Sequence, residues 1–523
     1  MDSHKTRARR LKCDEEKPIC RRCISSSREC GGYALDRFTS TSVLPQRKQA
    51  GQAQARYILP KASTNIATLT HKSAPSTVEV TKEGQLVMHF FRSVGSRQVG
   101  GAFDRPFWAV DLLQATLSHP IIWHSCSAMA AIYWKVNADT FSLDQSTTIK
   151  RLEIFGLTQY HHALSCAAQL IRRGHLSVDE KQVLLMTNLV LTAIGILLGK
   201  PEESMVHLHA GIKLFHEWHI AEQMVYSNPA DSILSFKSLT GLFQRFYTQS
   251  YTLRDKTWPN ILTTEKLEAM STEPFDSLTD AYFSLERILN NHVLVWRKET
   301  RAAATGEQNP IRDEGYISRM ALNIWQHKFD AGLEVGTLQD REGILILQLR
   351  AKITAVVADM NVALSELAYD EFNAEYKSIL DMAEELADIQ SKRKTVSKSF
   401  SFSACVAEPL AMIAYKCRNI KLRQRAMSLL QRFDMTEGVM NTAYTALLVK
   451  RLVDLEEEQL AKPKDPNDED CHCIQSTFLC NDHRILECAS VFKDDGQVSS
   501  VVTTVRDVRL GRLGKELFEK GRN

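Results

Sequence analysis

The sequence lacks the short motifs with which many enzymes hold nucleotides or activate a serine. It contains no G-x-S-x-G, Walker A or G-x-G-x-x-G sequence, so neither a serine elbow nor a phosphate-binding glycine loop is indicated. Between residues 85 and 460 no pattern nominates a catalytic nucleophile or base. We therefore predict that the protein is not an enzyme.

Long apolar runs are also lacking. The most apolar segment, residues 183–198, is short and is interrupted by Thr187, Asn188 and Thr192, whereas spanning a bilayer takes roughly 20 apolar residues. The segment predicts a buried central helix, and no membrane partner is expected. Nothing resembles a signal peptide, which predicts an intracellular compartment where cysteines stay reduced and disulfides are disfavoured.

The charge is nearly balanced over the whole chain but not along it. The 523 residues carry a net charge of +3, with 24% charged and 44% hydrophobic residues. The first 50 residues hold twelve Lys and Arg against six Asp and Glu, which leaves +6 there and about −3 on the remainder. This asymmetry indicates a basic nucleic-acid-binding segment joined to a neutral body large enough to form a core.

Four of the twelve cysteines cluster near the amino terminus. Cys13, Cys20, Cys23 and Cys30 follow the spacing C-x6-C-x2-C-x6-C, and a basic run without acidic residues leads into the first of them. A C-x2-C pair can place two thiolates on one tetrahedral zinc ion at about 2.3 Å. Because so short a segment has no apolar core, metal binding would supply its folding free energy. The four cysteines are therefore candidate zinc ligands.

The same stretch resembles the fungal Zn2Cys6 binuclear-cluster transcription factors. Their pattern is C-x2-C-R-x-R-(R/K)-x-K-C-D, a short loop with Pro, and then C-x2-C-x6-C. The chain matches it from Arg7 to Asp14 and again in Lys17-Pro18-Ile19-Cys20-Arg21-Arg22-Cys23 and Cys30. The resemblance implies a basic helix that enters the major groove of DNA and reads a CGG-like triplet.

The resemblance also implies roles for the basic residues. Arg9 and Arg10 fall on the paired positions before the third cysteine of the pattern, where base contacts are expected. An arginine paired with guanine O6 and N7 contributes roughly 1–3 kcal/mol of discrimination. Arg7, Lys12 and Lys17 are expected to contact phosphates, which position the module without reading sequence.

The chain departs from the family at Ser3 and Thr6, which stand where the first two cysteines belong. In the family, six cysteines hold two zinc ions. Three explanations stay open. Either the natural start lies in a different exon that supplies the two missing cysteines and hence two ions, or the four cysteines hold one ion, with or without His4 in place of one thiolate, or the module no longer binds DNA.

Composition divides the rest of the chain. Residues 1–32 form the incomplete DNA-binding module, and residues 33–80, rich in Ser, Thr, Gln, Lys and Pro, are expected to be a flexible linker. No sustained heptad repeat occurs there, so a coiled-coil dimer is not supported, and a homodimer formed in another way stays open. From residue 81 to 462 apolar residues recur at three- and four-residue steps, which predicts a large all-α domain.

The helical region also resembles the regulatory domain of the same fungal factors. The similar segments are Phe103-Asp104-Arg105-Pro106-Phe107-Trp108, His119-Pro120 and His207-Leu208-His209-Ala210-Gly211-Ile212-Lys213-Leu214. Predicted helices include the runs from Ile121 to Val136, Leu285 to Val295 and Ala363 to Leu386. The histidines from His207 to His219 do not have the H-E-x-x-H spacing of a helical metal site and are interpreted as core or surface residues.

Residues 463–523 are predicted to form an acidic linker and a β-hairpin. Apolar and polar residues alternate from His483 to Phe492 and from Val498 to Arg506, around Asp495-Gly496, and the hairpin is expected to pack on the helical domain. The spacing C-x-C-x6-C-x2-H could bind zinc, but it lacks a second close pair of the usual type, so we do not assign a metal site here. The side chains concerned are Cys471, His472, Cys473, Cys480, His483 and Cys488.

These observations predict a mostly α protein with a small zinc-cysteine cluster, a large helical domain and a carboxyl-terminal hairpin. Its expected function is sequence-specific binding of double-stranded DNA in the nucleus and regulation of RNA polymerase II genes, with the transcription machinery or co-regulators as protein partners. The alternative is a regulator that has lost DNA binding and acts through its helical domain. Zn2+ is the expected cofactor.

Overall fold

A computed structural model describes most of the chain beyond residue 75. The described residues are 75, 77–138, 146–220, 236–249, 272–305, 312–363, 365–392, 399–403, 405–463, 470–492 and 498–517. The chain divides into two units, residues 1–62 and 63–523, and every described residue belongs to the second.

The described part is mainly helical, as the sequence predicts. Its helices are α1 Lys82–Phe90, α2 Ser96–Val99, α3 Leu112–Ala115, α4 Pro120–Val136, α5 Ser146–Arg172, α6 Val178–Leu197, α7 Pro201–Glu217, α8 Phe236–Gln249, α9 Leu278–Thr305, α10 Arg312–Val335, α11 Arg341–Ala363, α12 Asn373–Lys392, α13 Ala407–Lys416, α14 Ile420–Phe433, α15 Thr442–Ala461 and α16 Val505–Arg509. Single π-helical turns, Phe91–Gly95 and Phe107–Asp111, precede α2 and α3.

Helices α1 to α8 enclose one hydrophobic core, at whose centre α6 lies. This helix begins at a capping box in which the Ser177 hydroxyl accepts from the Glu180 amide and the Glu180 carboxylate accepts from the Ser177 amide. By length and composition alone α6 could cross a membrane, but 78% of its most apolar 18-residue window is buried inside the protein. The prediction of a buried central helix is confirmed.

A second core is formed by α9 to α15, and aromatic residues connect it to the first. Phe103, which precedes the first core's helix α3, stacks on Tyr282 of α9 with ring centroids 4.2 Å apart. Phe402, which lies between α12 and α13 in sequence, is buried in the first core, where its ring centroid is 4.5 Å from that of Trp108. The two sets of helices are therefore joined through buried side chains rather than through surface contacts alone.

The predicted helix from Ala363 to Leu386 is wrong as one continuous element. The chain adopts an extended conformation at Ser365, forms a 3-10 turn over Glu366–Glu371, and starts α12 only at Asn373. The Ser365 hydroxyl accepts from the Leu367 amide, while the Asn481 side chain accepts from the Glu366 amide. The apolar period continues across the break, and contacts from a distant segment interrupt the helix.

Two small sheets complete the fold. In the first, β1 Ser399–Ser401 pairs in parallel with β2 Met435–Glu437, which pairs antiparallel with β3 Met440–Asn441. The sequence did not predict this sheet. In the second, β4 Ile485–Phe492 and β5 Val498–Thr504 form an antiparallel hairpin, and β6 Lys515–Glu516 joins β5. Ile485 and Val502 pack against Leu452 of α15, so the predicted hairpin and its packing on the helical domain are confirmed.

Asp111, at the end of the second π-helical turn, provides a pH-dependent prediction. Burial raises the pKa of its carboxyl to about 6, so the ionised form present at neutral pH opposes folding. A folded-state pKa above the unfolded value means that this group's stabilising contribution is lost as pH rises through 6. Because the side chain is only partly buried, we expect Asp111→Asn to raise the free energy of unfolding at pH 7.5 by at most about 1 kcal/mol.

Urea denaturation at pH 7.5 and pH 5 measures this effect. The gain from Asp111→Asn should shrink at pH 5, whereas Asp276→Asn, at an exposed position, should change the free energy equally little at both. A gain for Asp111→Asn that is larger at pH 5 would contradict the assignment.

Candidate metal centres

The amino-terminal candidates predicted from the sequence lie outside the described residues. They are the four proposed zinc ligands and the five proposed DNA contacts: Cys13, Cys20, Cys23, Cys30, Arg7, Arg9, Arg10, Lys12 and Lys17. Their donor set of four thiols at zinc spacings suits Zn2+ chemically. Which of them meet on one ion stays a prediction.

A second group of metal-ligating side chains lies near the carboxyl end of the chain. Cys471, Cys473, Cys480 and His483 each direct one ligand atom to the same place, and these four atoms lie within 4.8 Å of one another. The Nδ1 atom of His483 is 3.8, 3.4 and 3.2 Å from the Sγ atoms of Cys471, Cys473 and Cys480. The Sγ atoms of Cys473 and Cys480 are 3.4 Å apart.

Local backbone structure brings these side chains together. After Cys473 the chain turns sharply, because Ile474 and Phe478 pair as an antiparallel bridge through two backbone hydrogen bonds of 2.9 Å. Ser476, inside the turn, adopts a left-handed conformation with φ of 60°. A 3-10 turn over Asn481–His483 then returns the imidazole toward the thiols. The turn and the 3-10 segment replace the second close cysteine pair that the sequence lacks.

The thiols of this group are shielded from solvent and receive a backbone hydrogen bond. Cys471 and Cys480 are buried, and Cys473 and His483 are half-buried. The Cys480 amide donates to the Sγ atom of Cys473 at 3.4 Å, an interaction that stabilises negative charge on sulfur. Burial, together with the neighbouring Cys480 and Cys471 thiols, raises the pKa of Cys473 to about 12.

The geometry shows which of the six cysteines and histidines between residues 471 and 488 belong to the ligand group. His472 is exposed and its Nδ1 lies 2.8 Å from the Asp470 carbonyl oxygen. Cys488 lies in β4 and packs against the small apolar cluster of Leu452, Ile485, Val502 and Leu517. Neither belongs to the ligand group. The spacing C-x-C-x6-C-x2-H is the sequence signal for the remaining four residues, and without a second close cysteine pair it did not suffice to assign a metal site.

The segment that carries the group is fastened to the helical domain by buried polar contacts. Arg484, next to His483, is almost fully buried and donates to the Glu366 carbonyl oxygen and to both carboxylate oxygens of Asp370. The Lys416 ammonium of α13 donates to the Glu366 carboxylate at 2.8 Å and to the Leu486 carbonyl oxygen at 2.9 Å. The ligand group therefore lies beside the break between α11 and α12.

Two known family models match parts of the chain. The fungal Zn(2)-Cys(6) binuclear cluster domain matches residues 7–37, and the fungal specific transcription factor domain matches residues 85–286. These matches, together with relatives named as fungal transcription regulators, support the resemblance to the fungal Zn2Cys6 transcription factors that the sequence shows. The matching domains and the named relatives are those of transcription factors rather than enzymes. Its amino-terminal domain implies zinc binding.

This chain is similar to three named transcription regulators, at 22–27% identity. It is 24% identical to the transcription regulator lscL of Purpureocillium lilacinum over 41% of its own chain and 48% of the relative. It is 22% identical to the aspercryptin biosynthesis cluster-specific transcription regulator atnN of Emericella nidulans, over 73% of its own chain and 62% of the relative. It is 27% identical to the Zn(2)-C6 fungal-type transcription factor afumD of Aspergillus fumigatus, over 29% of its own chain and 39% of the relative.

The aligned part of the chain spans between 39% and 62% of the length of these three relatives. No solved structure matches the chain.

Proposed function

We propose that this protein binds CGG-like DNA sites sequence-specifically and regulates RNA polymerase II genes in the nucleus. The observation that carries the proposal is the match of residues 7–37 to the Zn(2)-Cys(6) cluster domain, because that stretch combines the zinc-binding cysteines with the basic run from Arg7 to Lys12. The folded helical body beyond residue 75 then serves as the regulatory part. Co-regulators or the transcription machinery are its proposed partners.

In this proposal each amino-terminal residue type has one task. The thiolates of Cys13, Cys20, Cys23 and Cys30 hold zinc, which supplies the folding free energy that a segment of this length cannot obtain from apolar burial. Arg9 and Arg10 contact guanine edges in the major groove. The charges of Arg7, Lys12 and Lys17 contact phosphates and release counterions, which makes binding salt-dependent.

The second candidate function is regulation without DNA binding. Ser3 and Thr6 occupy the positions of the family's first two cysteines, and this departure supports the possibility that the cluster no longer folds. The protein would then act through contacts of its helical body. An electrophoretic shift of a CGG-containing duplex by the full chain, abolished by a chelator and restored by Zn2+, supports DNA binding; no shift at any salt concentration supports the second candidate.

Three substitutions test the proposed division between base and phosphate contacts. Arg9→Ala and Arg10→Ala should each lower the discrimination between CGG and scrambled duplexes by about 1–3 kcal/mol. Lys12→Ala should weaken binding to both duplexes equally and reduce the salt slope by about 1. Titrations of both duplexes at four salt concentrations measure these quantities. If both arginine variants discriminate as well as the parent, the readout assignment is wrong.

A further inference from the structure

We propose that Cys471, Cys473, Cys480 and His483 bind one structural Zn2+ ion that locks the carboxyl-terminal segment onto the helical domain. This site is separate in sequence from the amino-terminal cysteine cluster and does not depend on how that cluster is completed. The proposal rests on the convergence of four ligand atoms of the right chemistry, on their spacing, and on the contacts of the segment that carries them.

The spacing of the ligand atoms fits tetrahedral zinc. With Zn–S bonds of about 2.3 Å and Zn–N bonds of about 2.0–2.1 Å, a tetrahedral site separates two sulfurs by about 3.8 Å and a sulfur from a nitrogen by about 3.6 Å. Four of the six separations between ligand atoms are 3.2–3.8 Å and need adjustments of only a few tenths of an ångström, and the other two are at most 4.8 Å. A disulfide between Cys473 and Cys480 would require about 2.05 Å, well below their 3.4 Å.

The donor set selects the metal. Three thiolates and one imidazole in a tetrahedral arrangement favour Zn2+ over the oxygen-seeking Mg2+ and Ca2+. Four protein ligands close the coordination sphere, which is typical of structural rather than catalytic zinc. The amide of Cys480, which donates to the Cys473 sulfur, supplies a second-sphere hydrogen bond of the kind that supports a thiolate ligand.

The charges around the group complement a zinc centre. Three thiolates and Zn2+ leave one net negative charge, and a guanidinium nitrogen of Arg506 lies 3.3 Å from His483 Nε2. When Nδ1 binds the ion, Nε2 carries the ring proton, so Arg506 then contributes its charge rather than a hydrogen bond to that nitrogen. Arg509 forms ion pairs with Asp470 and Asp482, each of which directly precedes a ligand residue.

The ion would connect three elements that the sequence leaves apart. The turn between Cys473 and Cys480 contacts the end of α15, where the Ser476 amide donates to the Leu460 carbonyl oxygen at 2.8 Å. The 3-10 turn that ends at His483 contacts the non-helical segment after α11, because the Asn481 side chain accepts from the Glu366 amide. Beyond it, the hairpin begins at Ile485, whose amide donates to Glu456 of α15 at 3.1 Å.

Zinc content of the full chain tests the site directly. The background variant Cys13→Ala/Cys20→Ala should disable the amino-terminal cluster and retain one zinc ion per chain by mass spectrometry. Adding Cys473→Ala or His483→Ala should remove that ion. Adding Cys488→Ala, in the same segment but outside the ligand group, should not. If the Cys473→Ala and Cys488→Ala variants retain equal zinc, the proposal is overturned.

A measurement on the parent protein covers the case in which the variants misfold. Alkylation of Cys473 and Cys480 should be at least about tenfold slower before a chelator is added than after, because metal-bound thiolates are protected. Alkylation of Cys488 should not respond to the chelator in this way. Equal rates with and without chelator, or a Cys473–Cys480 disulfide in non-reduced peptides, would overturn the assignment.

Hydrogen exchange tests the proposed role of the ion in holding the segment. Removing zinc from the Cys13→Ala/Cys20→Ala background should raise deuterium uptake in residues 470–517 and 366–371 and leave residues 120–197 of the first core unchanged. Unchanged uptake in residues 470–517 would overturn the role as a lock. An equal rise in all three regions would overturn it as well, because the ion would then not act on this segment.

Discussion

Arg245→Met is expected to lower the free energy of unfolding by about 3–5 kcal/mol, because it leaves a buried carboxylate without its counter-charge. Arg245 of α8 is 1% exposed, and its guanidinium lies 2.9 Å from the carboxylate of Asp104, which is fully buried. Burial opposes the charge of Arg245, but the attraction of Asp104 raises its pKa. The pair lies where the two cores meet, since Asp104 also accepts from Ser403 and Arg245 donates to Tyr282.

Urea denaturation of the full chain, followed by far-ultraviolet circular dichroism, measures this loss. Arg341→Met is the matched control, because Arg341 forms a bidentate pair with Glu385 at 2.8 Å on the surface, where the expected cost is at most about 1 kcal/mol. The double variant Asp104→Asn/Arg245→Met should recover part of the loss. Equal effects of Arg245→Met and Arg341→Met would show that the buried pair is not the sensitive contact.

Glu437→Ala is expected to destabilise the helical domain by about 3–5 kcal/mol, because it removes the carboxylate that accepts from three buried backbone amides at one helix end. Glu437 of β2 is 2% exposed. Its carboxylate accepts from the amides of Cys405, Val406 and Ala407 at 2.8, 2.9 and 3.1 Å. The side chain thus caps α13 from a strand 30 residues away in sequence.

The size of this effect separates capping from simple charge loss. Glu437→Gln keeps one acceptor oxygen and should cost less than Glu437→Ala, and Glu457→Ala, exposed on α15, should cost almost nothing. Hydrogen exchange of residues 405–407 should accelerate in Glu437→Ala and stay unchanged in Glu457→Ala. If Glu437→Ala and Glu457→Ala unfold at the same urea concentration, the proposed cap does not contribute.

The sequence predicted elements that depend on local periodicity or on local turn chemistry. The strongly apolar segment 183–198 predicts helix α6, alternating apolar and polar residues predict β4–β5, and the structure has both. The first small sheet could not be predicted in this way, because β1 and β2 are three residues each and pair across 36 positions of sequence. Segments so short carry no readable period.

The same distinction explains the helix break at Ser365. Apolar spacing from Ala363 to Leu386 indicated one helix, but the Asn481 side chain accepts from the Glu366 amide and stabilises a non-helical turn there. The conformation here depends on a residue 115 positions away. The spacing of apolar residues along the helix does not indicate that contact. Local preference was outweighed by a tertiary hydrogen bond.

By itself the sequence determined the match to the Zn(2)-Cys(6) cluster domain, since thiols, basic residues and their spacing in residues 7–30 depend only on covalent order. It likewise determined the predominance of helices. Only the tertiary structure decided that Cys471, Cys473, Cys480 and His483 form one ligand group. Metal ligation requires atoms to meet within a few ångströms, and spacing along a chain restricts that meeting without specifying it, because the turn at Ser476 and the docking of Arg484 fix where the ligands point.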